Sequence, residues 1–187
     1  SYDQLVTMEI ACHGVPSPGV WKRYFEENKE VWRALEDACK AGKVKSIGVS
    51  NFLADDLQNI LDDCKIKPAV NQILTHISNT PLELIKLCAE NGILCEAYSP
   101  IAHGEALKNR VIDETAAKYN VEPAQLCVRY FLQLGMVALP KTANPEHMKS
   151  NADVDFVISD SDMDLLKNLE KIKDYGEYSF FPVFSGK

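Results

Sequence analysis

The chain has 187 residues, of which 46% are hydrophobic and 25% charged, a composition typical of a globular protein with one sizeable core. Its formal net charge of -7 argues against broad nucleic-acid binding, because phosphate backbones are bound through clustered Lys and Arg. Its apolar runs fall far short of the roughly 18 to 20 residues that span a bilayer, and Ser1–Thr7 lacks the basic start and apolar block of a signal peptide.

The first predicted elements come from the spacing of apolar residues. Leu5–Met8 could form a strand, and Gly14–Gly19, which contains two prolines, predicts a loop. Ser46–Val49 predicts a short buried strand, and Asn28–Lys40 predicts a helix whose inner face carries Val31, Trp32, Leu35, Ala38 and Cys39. From this point strands and helices alternate, which is the pattern of βαβ units around a parallel sheet.

The alternation continues to the last predicted helix. Leu53–Cys64 has apolar residues at helical spacing, and Pro68 marks the turn into the strand Ala69–Ile73. Pro81 fits the first turn of the next helix, which Gly92 ends. The remaining predicted elements are the strand Ile93–Ala97, the helices Asn109–Tyr119 and Pro123–Leu134, the strand Met136–Leu139, and the helix Asp160–Ile172, which Ser159 or Asp160 could cap.

The number of predicted strands limits the fold. Four clear strands and a fifth weaker one cannot close an eight-stranded barrel, which takes about 250 residues. From periodicity alone, an open, doubly wound parallel sheet of the flavodoxin type would be a fair interpretation.

Cysteine and histidine spacing gives no sign of a disulfide framework or a metal site. The six cysteines are far apart and form no CxxC pair, which favours reduced thiols and a cytoplasmic compartment. The four histidines show neither HxxxH nor HxH spacing, so we expect no metal.

Polar residues follow several of the predicted strands. Ser50 and Asn51 come directly after one buried strand, and Gln72 lies on the next. Lys141 and Thr142 end an apolar strand just before a helix start, and an ammonium group, a hydroxyl and a helix N-terminus together make a phosphate site.

Four segments then carry a resemblance to a known family. In order and spacing, GKVKSIGVSNF at 42–52, VNQ at 70–72, AYSP at 97–100 and LPKT at 139–142 resemble the aldo-keto reductases. The resemblance covers about residues 20–175 and implies a single domain over residues 1–187. It also implies an α/β fold of the TIM (β/α)8 barrel type, here incomplete, with NADP(H) across the C-terminal ends of the strands.

The resemblance assigns roles to the strand-end residues. Ser50, Asn51 and Gln72 would hold the nicotinamide carboxamide, and the ring of Tyr98 would stack on the nicotinamide so that one face is left for hydride exchange. The loop 99–104 corresponds to the family's cover over the pyrophosphate. It contains Ser99, Pro100 and His103, the last of which we expect to be solvated.

The 2'-phosphate site departs from the family pattern. Lys141 and Thr142 would bind this phosphate, which distinguishes NADPH from NADH. His147 stands where the family usually has arginine, and Ser150 replaces a glutamate, whereas Asn151 is kept. Because arginine is permanently charged and histidine is not, we expect a weakened preference for NADPH.

Most of the family's catalytic group has no match. The family protonates the developing alkoxide with a tyrosine tuned by a lysine and an aspartate, with a histidine beside them. The chain shows no counterpart of the first three, and His13 in HGVPSP resembles the histidine after the family's fourth strand. Residues 1–8 resemble the family's opening hairpin, which suggests an internal deletion of the first strands: a natural isoform, a deliberate deletion or omitted residues.

Two functions remain open from the sequence. The first is an NADPH-dependent oxidoreductase that reduces small aldehydes or ketones to alcohols, with turnover doubtful if the Tyr, Asp and Lys are missing. The alternative is a non-catalytic dinucleotide-binding or assembly protein derived from the same fold. Exposed sheet edges of an incomplete barrel could support a homodimer.

The substrate is not identified, although an aromatic tail could line its pocket or pack under the barrel, and we favour the pocket. The aromatic residues of this tail are Tyr175, Tyr178, Phe180, Phe181 and Phe184.

Overall fold

The computed structural model describes residues 5–9, 24–172 and 175. Strands and helices alternate through these residues as the sequence predicts. The strands are β1 Leu5–Glu9, β2 Ser46–Ser50, β3 Val70–Leu74, β4 Leu94–Tyr98 and β5 Val137–Leu139. The helices are α1 Phe25–Lys40, α2 Ala54–Leu61, α3 Leu82–Glu90, α4 Arg110–Lys118, α5 Pro123–Gln133, α6 Pro145–Ala152 and α7 Asp160–Lys167, with a 3₁₀ segment at Ala102–Lys108.

The chain divides into two compact units, and the first comprises residues 1–73 and 82–95. In this unit β1 pairs with β2 in parallel, from Leu5 opposite Ser46 to Glu9 opposite Ser50. β2 pairs with β3, also in parallel, with Ser50 opposite Gln72. Strand order therefore follows chain order. The prediction of a single domain over residues 1–187 stays a prediction.

The core of the first unit lies between its strands and α1 and α2. Trp32 is 2% exposed and donates its indole N–H to the carbonyl oxygen of Ile66 at 3.1 Å. Glu36, one turn further along α1, accepts the N–H groups of Lys65 and Ile66 at 2.6 and 2.9 Å. The inner face of α1 is thus centred on Trp32 and Glu36. The prediction for Val31 is wrong, because it lies about 100° around the helix from Trp32 and is 47% exposed.

The position of β1 differs from the opening hairpin expected for residues 1–8. A hairpin joins antiparallel neighbours, whereas Leu5–Glu9 is a parallel neighbour of β2. A five-residue alternating pattern indicates a strand but does not specify which strand it pairs with.

The second unit comprises residues 74–81 and 96–187. Its part of β4 pairs in parallel with β5, from Glu96 opposite Val137 to Tyr98 opposite Leu139. Helix α5 supplies much of the core, since Leu126, Cys127, Tyr130 and Phe131 are fully buried.

The cap predicted for the last helix is present. The side chain of Ser159 accepts the N–H of Asp162 at 3.2 Å and so begins α7.

The described residues contain free cysteine thiols and no cluster of metal-binding side chains. Cys39, Cys64, Cys88, Cys95 and Cys127 are free thiols, and Cys12 lies outside the described residues. Within residues 5–9, 24–172 and 175, no group of three His, Cys, Asp or Glu side chains could hold a metal ion. None of the helices in these ranges is long and apolar enough to cross a membrane.

Candidate functional site

Three predicted residues of the first unit meet where the end of β2 lies beside the middle of β3. Ser50 is 5% exposed and donates its hydroxyl to the main-chain oxygen of Gln72 at 3.1 Å. The N–H of Asn51 donates to the same oxygen at 2.8 Å. Asn51 has a φ of 57°, a left-handed conformation that asparagine adopts more readily than most residues. The turn after β2 is therefore held directly against the middle of β3.

Asn71 is a residue of β3 beside this turn, and the sequence did not reveal its role. Its side chain is fully buried and donates to the carbonyl oxygen of Phe52 at 3.0 Å. Its Oδ1 atom has no hydrogen-bond partner among the described residues. Asn71 thus fixes the end of the turn that Ser50 and Asn51 begin, and its place beside Gln72 in the VNQ segment was the only signal for it.

In the second unit, the loop after β4 carries a run of left-handed residues. Ser99, Ala102 and His103 have φ values of 53°, 50° and 53°, and Gly104 has 94°. Left-handed non-glycine residues cost of order 1 kcal/mol or more each and cluster at ligand clamps and active sites. The exposed ring of His103 lies 3.4 Å from the hydroxyl of Ser99, so His103 also contacts the loop. Pro100, between them, is buried.

Two predicted phosphate-site residues of the second unit line one open cavity. Its volume is about 400 Å³. Thr142 and Asn151 line it together with Pro140, Met148 and Ala152. The structure therefore brings Thr142, in the loop after β5, and Asn151, near the end of α6, into one lining, although they are nine positions apart in the sequence.

The start of α6 is capped by side chains of the preceding loop. Thr142 Oγ1 accepts the N–H of Asn144 at 3.1 Å, and the side chain of Asn144 caps α6 by accepting the N–H of Glu146 at 3.0 Å. Lys141 and His147 are exposed on either side of this cap. A helix N-terminus carries a partial positive charge that favours a phosphate, and a nearby ammonium group adds to it.

Ser150 has an unexpected neighbour. Its hydroxyl donates to the carboxylate of Glu122, at the start of α5, at 3.4 Å. A carboxylate thus lies beside position 150 although the residue itself is a serine, and sequence spacing gave no signal for this.

A buried histidine cluster of the second unit was also missed. His76 is fully buried, and its Nε2 lies 2.7 Å from the hydroxyl of Tyr175. Its Nδ1 lies 3.2 Å from the hydroxyl of Ser78, which accepts the N–H of Ile172 at 3.4 Å. A neutral imidazole donates from one nitrogen and accepts at the other, so both contacts suit the uncharged ring. Burial lowers the pKa of His76 from 6.5 to about 4.

The lowered pKa of His76 makes stability depend on pH. Between the ordinary pKa and about 4, the unfolded chain binds a proton that the folded chain does not, so stability falls as pH falls through this window. We expect His76 to cost about 2 kcal/mol of unfolding free energy between pH 7.5 and 5. Urea unfolding at both pH values should show this loss in the wild type and in His147→Gln but not in His76→Gln. An equal loss in His76→Gln would contradict the assignment.

Two predictions fall wholly or partly outside the described residues. His13, the catalytic candidate, lies outside them, as do Tyr178, Phe180, Phe181 and Phe184 of the aromatic tail. Tyr175 is described, and its placement corrects the preference for a pocket, because it is 4% exposed and packs edge-on against the ring of His76.

Comparison with known proteins identifies the family. The model of the Aldo/keto reductase family matches residues 10–171. Glyoxal reductase of Bacillus subtilis is 41% identical over 152 residues, covering 81% of this chain and 55% of that protein. Aldehyde reductase YPR1 of Saccharomyces cerevisiae is 37% identical over 164 residues, covering 83% of this chain and 52% of that protein. The chain spans about half the length of the curated relatives it matches.

Solved structures agree. An aldo-keto reductase from a deep-sea metagenome library matches with a TM-score of 0.80 at 28% identity, covering 95% of this chain and 64% of that one. The aldo-keto reductase AKR2E5 of the silkworm Bombyx mori matches with a TM-score of 0.78 at 28% identity, covering 96% and 57%. The fold is therefore that of an incomplete TIM (β/α)8 barrel and not the open flavodoxin-type sheet that periodicity alone favoured. On the family match over 162 of its 187 residues, counted from 10 to 171, the chain belongs to the aldo/keto reductase family.

Proposed function

We propose that the chain is the cofactor-holding part of an NADP(H)-dependent oxidoreductase that reduces aldehydes or ketones to alcohols. The observation that carries the proposal is the cavity of the second unit, which is lined by both Thr142 and Asn151. Family membership supports the reaction class, since relatives are named glyoxal reductase and aldehyde reductase. A solved structure of aldo-keto reductase AKR2E5, complexed with NADPH, supports the cofactor.

In this proposal the cavity and the start of α6 take the adenosine 2'-phosphate. Thr142 donates its hydroxyl to a phosphate oxygen, since its own acceptor position is already used by the N–H of Asn144. Lys141 supplies the permanent charge, and His147 adds charge only when it is protonated. Asn151 also lines the cavity, and its amide can donate to or accept from the edge of the nucleotide.

The residues of the first unit take the nicotinamide carboxamide. A carboxamide both donates and accepts hydrogen bonds, and the side chains of Ser50, Asn51 and Gln72 offer both kinds of group. The bonds from Ser50 and Asn51 to the main-chain oxygen of Gln72 hold this turn in one conformation. A preformed turn reduces the entropy lost on binding.

Tyr98 and the loop after β4 complete the proposed assignment. Tyr98 is half-buried at the end of β4, and its ring would cover one face of the nicotinamide. Ser99 and Pro100 begin the loop that would lie along the pyrophosphate, and the loop is held in shape by bonds from the N–H groups of Ala102 and Gly104 to the carbonyl oxygens of Ser99 and Ile101, both at 2.8 Å.

The reaction needs a hydride and a proton. When bound, the reduced nicotinamide supplies the hydride to the carbonyl carbon. The carbonyl oxygen must then take a proton from an acid, which contributes about 10² to 10⁴-fold to the rate. His13, which lies outside the described residues, stays the predicted catalytic candidate of this chain.

Titration with the two reduced cofactors tests the proposal. We expect NADPH to bind more tightly than NADH, with the difference smaller than a permanently charged arginine at position 147 would give. Equal affinities, or no binding of either, would contradict it. Addition of glyoxal or another small aldehyde to the NADPH complex should then lower the absorbance of the reduced cofactor. Binding without turnover would contradict the reductase assignment and favour the non-catalytic alternative.

Association of two copies through strand edges stays a prediction. Analytical ultracentrifugation of the 187-residue chain measures it directly, since a dimer would have twice the monomer mass of 20.9 kDa.

A further inference from the structure

We infer that three polar side chains of α5 position the wall of the nucleotide cavity that α6 supplies. These side chains, called here the polar ladder, are Gln125, Arg129 and Gln133. The inference rests on the proposed function, because it concerns the affinity of the same cavity for a 2'-phosphate.

Helix α6 has little apolar packing of its own to hold it in place. It has eight residues, and none of them is buried. Met148, its largest apolar residue, is 52% exposed. Burial of apolar surface therefore cannot fix its position, although Asn151 and Ala152 at its end line the cavity. Its position must depend on polar contacts, which are the bond from Ser150 to Glu122 and whatever holds the segments at the ends of α6.

The segment 153–158, which follows α6, is held by the polar ladder. It has no regular secondary structure, so its main-chain groups need other partners. Gln125 Nε2 donates to the carbonyl oxygen of Asp153 at 2.6 Å, and Arg129 Nη1 donates to that of Val154 at 3.2 Å. Gln133 donates to the carbonyl oxygen of Ile158 at 3.0 Å and accepts its N–H at 2.6 Å.

The spacing of the polar ladder explains why it can act as one unit. Its residues are four positions apart, so they lie on one face of α5. Arg129 Nε donates to Gln133 Oε1 at 3.1 Å, which links two of its members. Gln125 Oε1 accepts the N–H of Glu122 at 2.9 Å, which links the third to the start of α5.

Burial makes these hydrogen bonds costly to lose. Gln125 is 8% exposed, and two of the four apolar residues of the segment, Val154 and Ile158, are 8% and 1% exposed, whereas Val157 is 68% exposed. A buried polar group left without its partner pays its full desolvation cost. The polar ladder therefore holds the start of the segment, one residue after Ala152, in a fixed place beside α5.

Gln125→Glu is the sharpest test, because it changes one atom's chemistry and little of the shape. The carboxylate keeps an acceptor for the N–H of Glu122, but it cannot donate to Asp153 and places an oxygen against the carbonyl oxygen. We expect the dissociation constant for adenosine 2',5'-bisphosphate to rise about tenfold and that for 5'-AMP to rise less than about threefold. We also expect faster hydrogen exchange of the α6 amides. Gln58 is exposed on α2, and Gln58→Glu makes the same chemical change outside the polar ladder. We expect it to alter neither the two dissociation constants nor the hydrogen exchange of the α6 amides.

The ratio of the dissociation constants for adenosine 2',5'-bisphosphate and 5'-AMP shows whether the polar ladder positions α6 or only stabilises the fold. A variant that is only less stable, but still folded, keeps the wild-type ratio, and an unchanged ratio in Gln125→Glu would overturn the inference. Gln133→Glu, which loses only the donor to Ile158, is the second variant if Gln125→Glu does not fold. A wild type without preference for the 2'-phosphate would contradict the proposed function. In that case faster hydrogen exchange of the α6 amides in Gln125→Glu would still support the inference that the polar ladder fixes the position of α6. Unchanged exchange would overturn that inference.

Discussion

Replacement of Lys141 by methionine is expected to raise the dissociation constant for NADPH roughly 10- to 100-fold and to change that for NADH less than about threefold. Lys141 is exposed and directly precedes Thr142, which lines the cavity of the second unit. A charge-assisted hydrogen bond to a phosphate contributes about 1.5 to 3 kcal/mol, and NADH has no 2'-phosphate to receive it. Titrations of both cofactors at one fixed ionic strength measure the two constants.

The matched control for this prediction is Lys43→Met. Lys43 is exposed in the turn after α1, in the first unit, so its replacement removes the same charge far along the chain from the proposed phosphate site. If both variants lose NADPH affinity equally, the effect is one of net charge. If Lys141→Met weakens NADPH and NADH alike, Lys141 does not recognise the 2'-phosphate.

A methyl group at Gly48 is expected to destabilise the first unit by about 3 kcal/mol. A Cβ atom there would lie 2.5 Å from Cγ2 of Val70 and 3.0 Å from its carbonyl oxygen. The first contact can relax by side-chain movement, whereas the second involves the backbone of the adjacent strand β3. Gly48 is central in β2, so the close approach of the two strands depends on the missing side chain. Urea unfolding of Gly48→Ala measures the loss.

Two further variants separate crowding from other effects of alanine. Gly42→Ala meets no atom within 4 Å but has a φ of 71°, so it reports backbone strain alone and should cost about 1 kcal/mol. In the double variant Gly48→Ala with Val70→Ala, the loss should be smaller than the sum of the two single losses. Strict additivity would show that Val70 is not the residue that excludes a side chain at position 48.

The sequence allowed the element order to be predicted because buried strands and amphipathic helices differ in period. Runs such as Ser46–Val49 and Met136–Leu139 are too short and too apolar for surface helices, and each is a strand in the structure. Ser50 and Asn51 could also be named in advance as candidates, because they follow a buried strand and barrel enzymes place their sites at the C-terminal ends of strands.

The contacts between distant positions could not be predicted. His76 and Tyr175 are 99 positions apart, and nothing in either segment indicates the other. The contact between Glu122 and Ser150, which are 28 positions apart, could not be predicted for the same reason. Such pairs are set by three-dimensional packing, which local periodicity does not encode.

The polar ladder shows a second limit of sequence reasoning. Gln125, Arg129 and Gln133 on a helix would normally be assigned to a solvated face. Gln125 is instead nearly buried, because the main chain of the segment after α6 uses its amide as a hydrogen-bond partner. A helix with polar residues at intervals of four can thus hold an irregular segment as well as face water.

The central claim is that the second unit carries a site selective for an adenosine 2'-phosphate, and nuclear magnetic resonance titration with adenosine 2',5'-bisphosphate tests it most directly. The amide resonances of Thr142, His147 and Asn151 are predicted to shift with one common dissociation constant. The 3',5' isomer should shift them at least about tenfold more weakly, because Lys141 and the start of α6 recognise the position of the phosphate as well as its charge. Equal responses to the two isomers, or shifts confined to other parts of the chain, would contradict the claim.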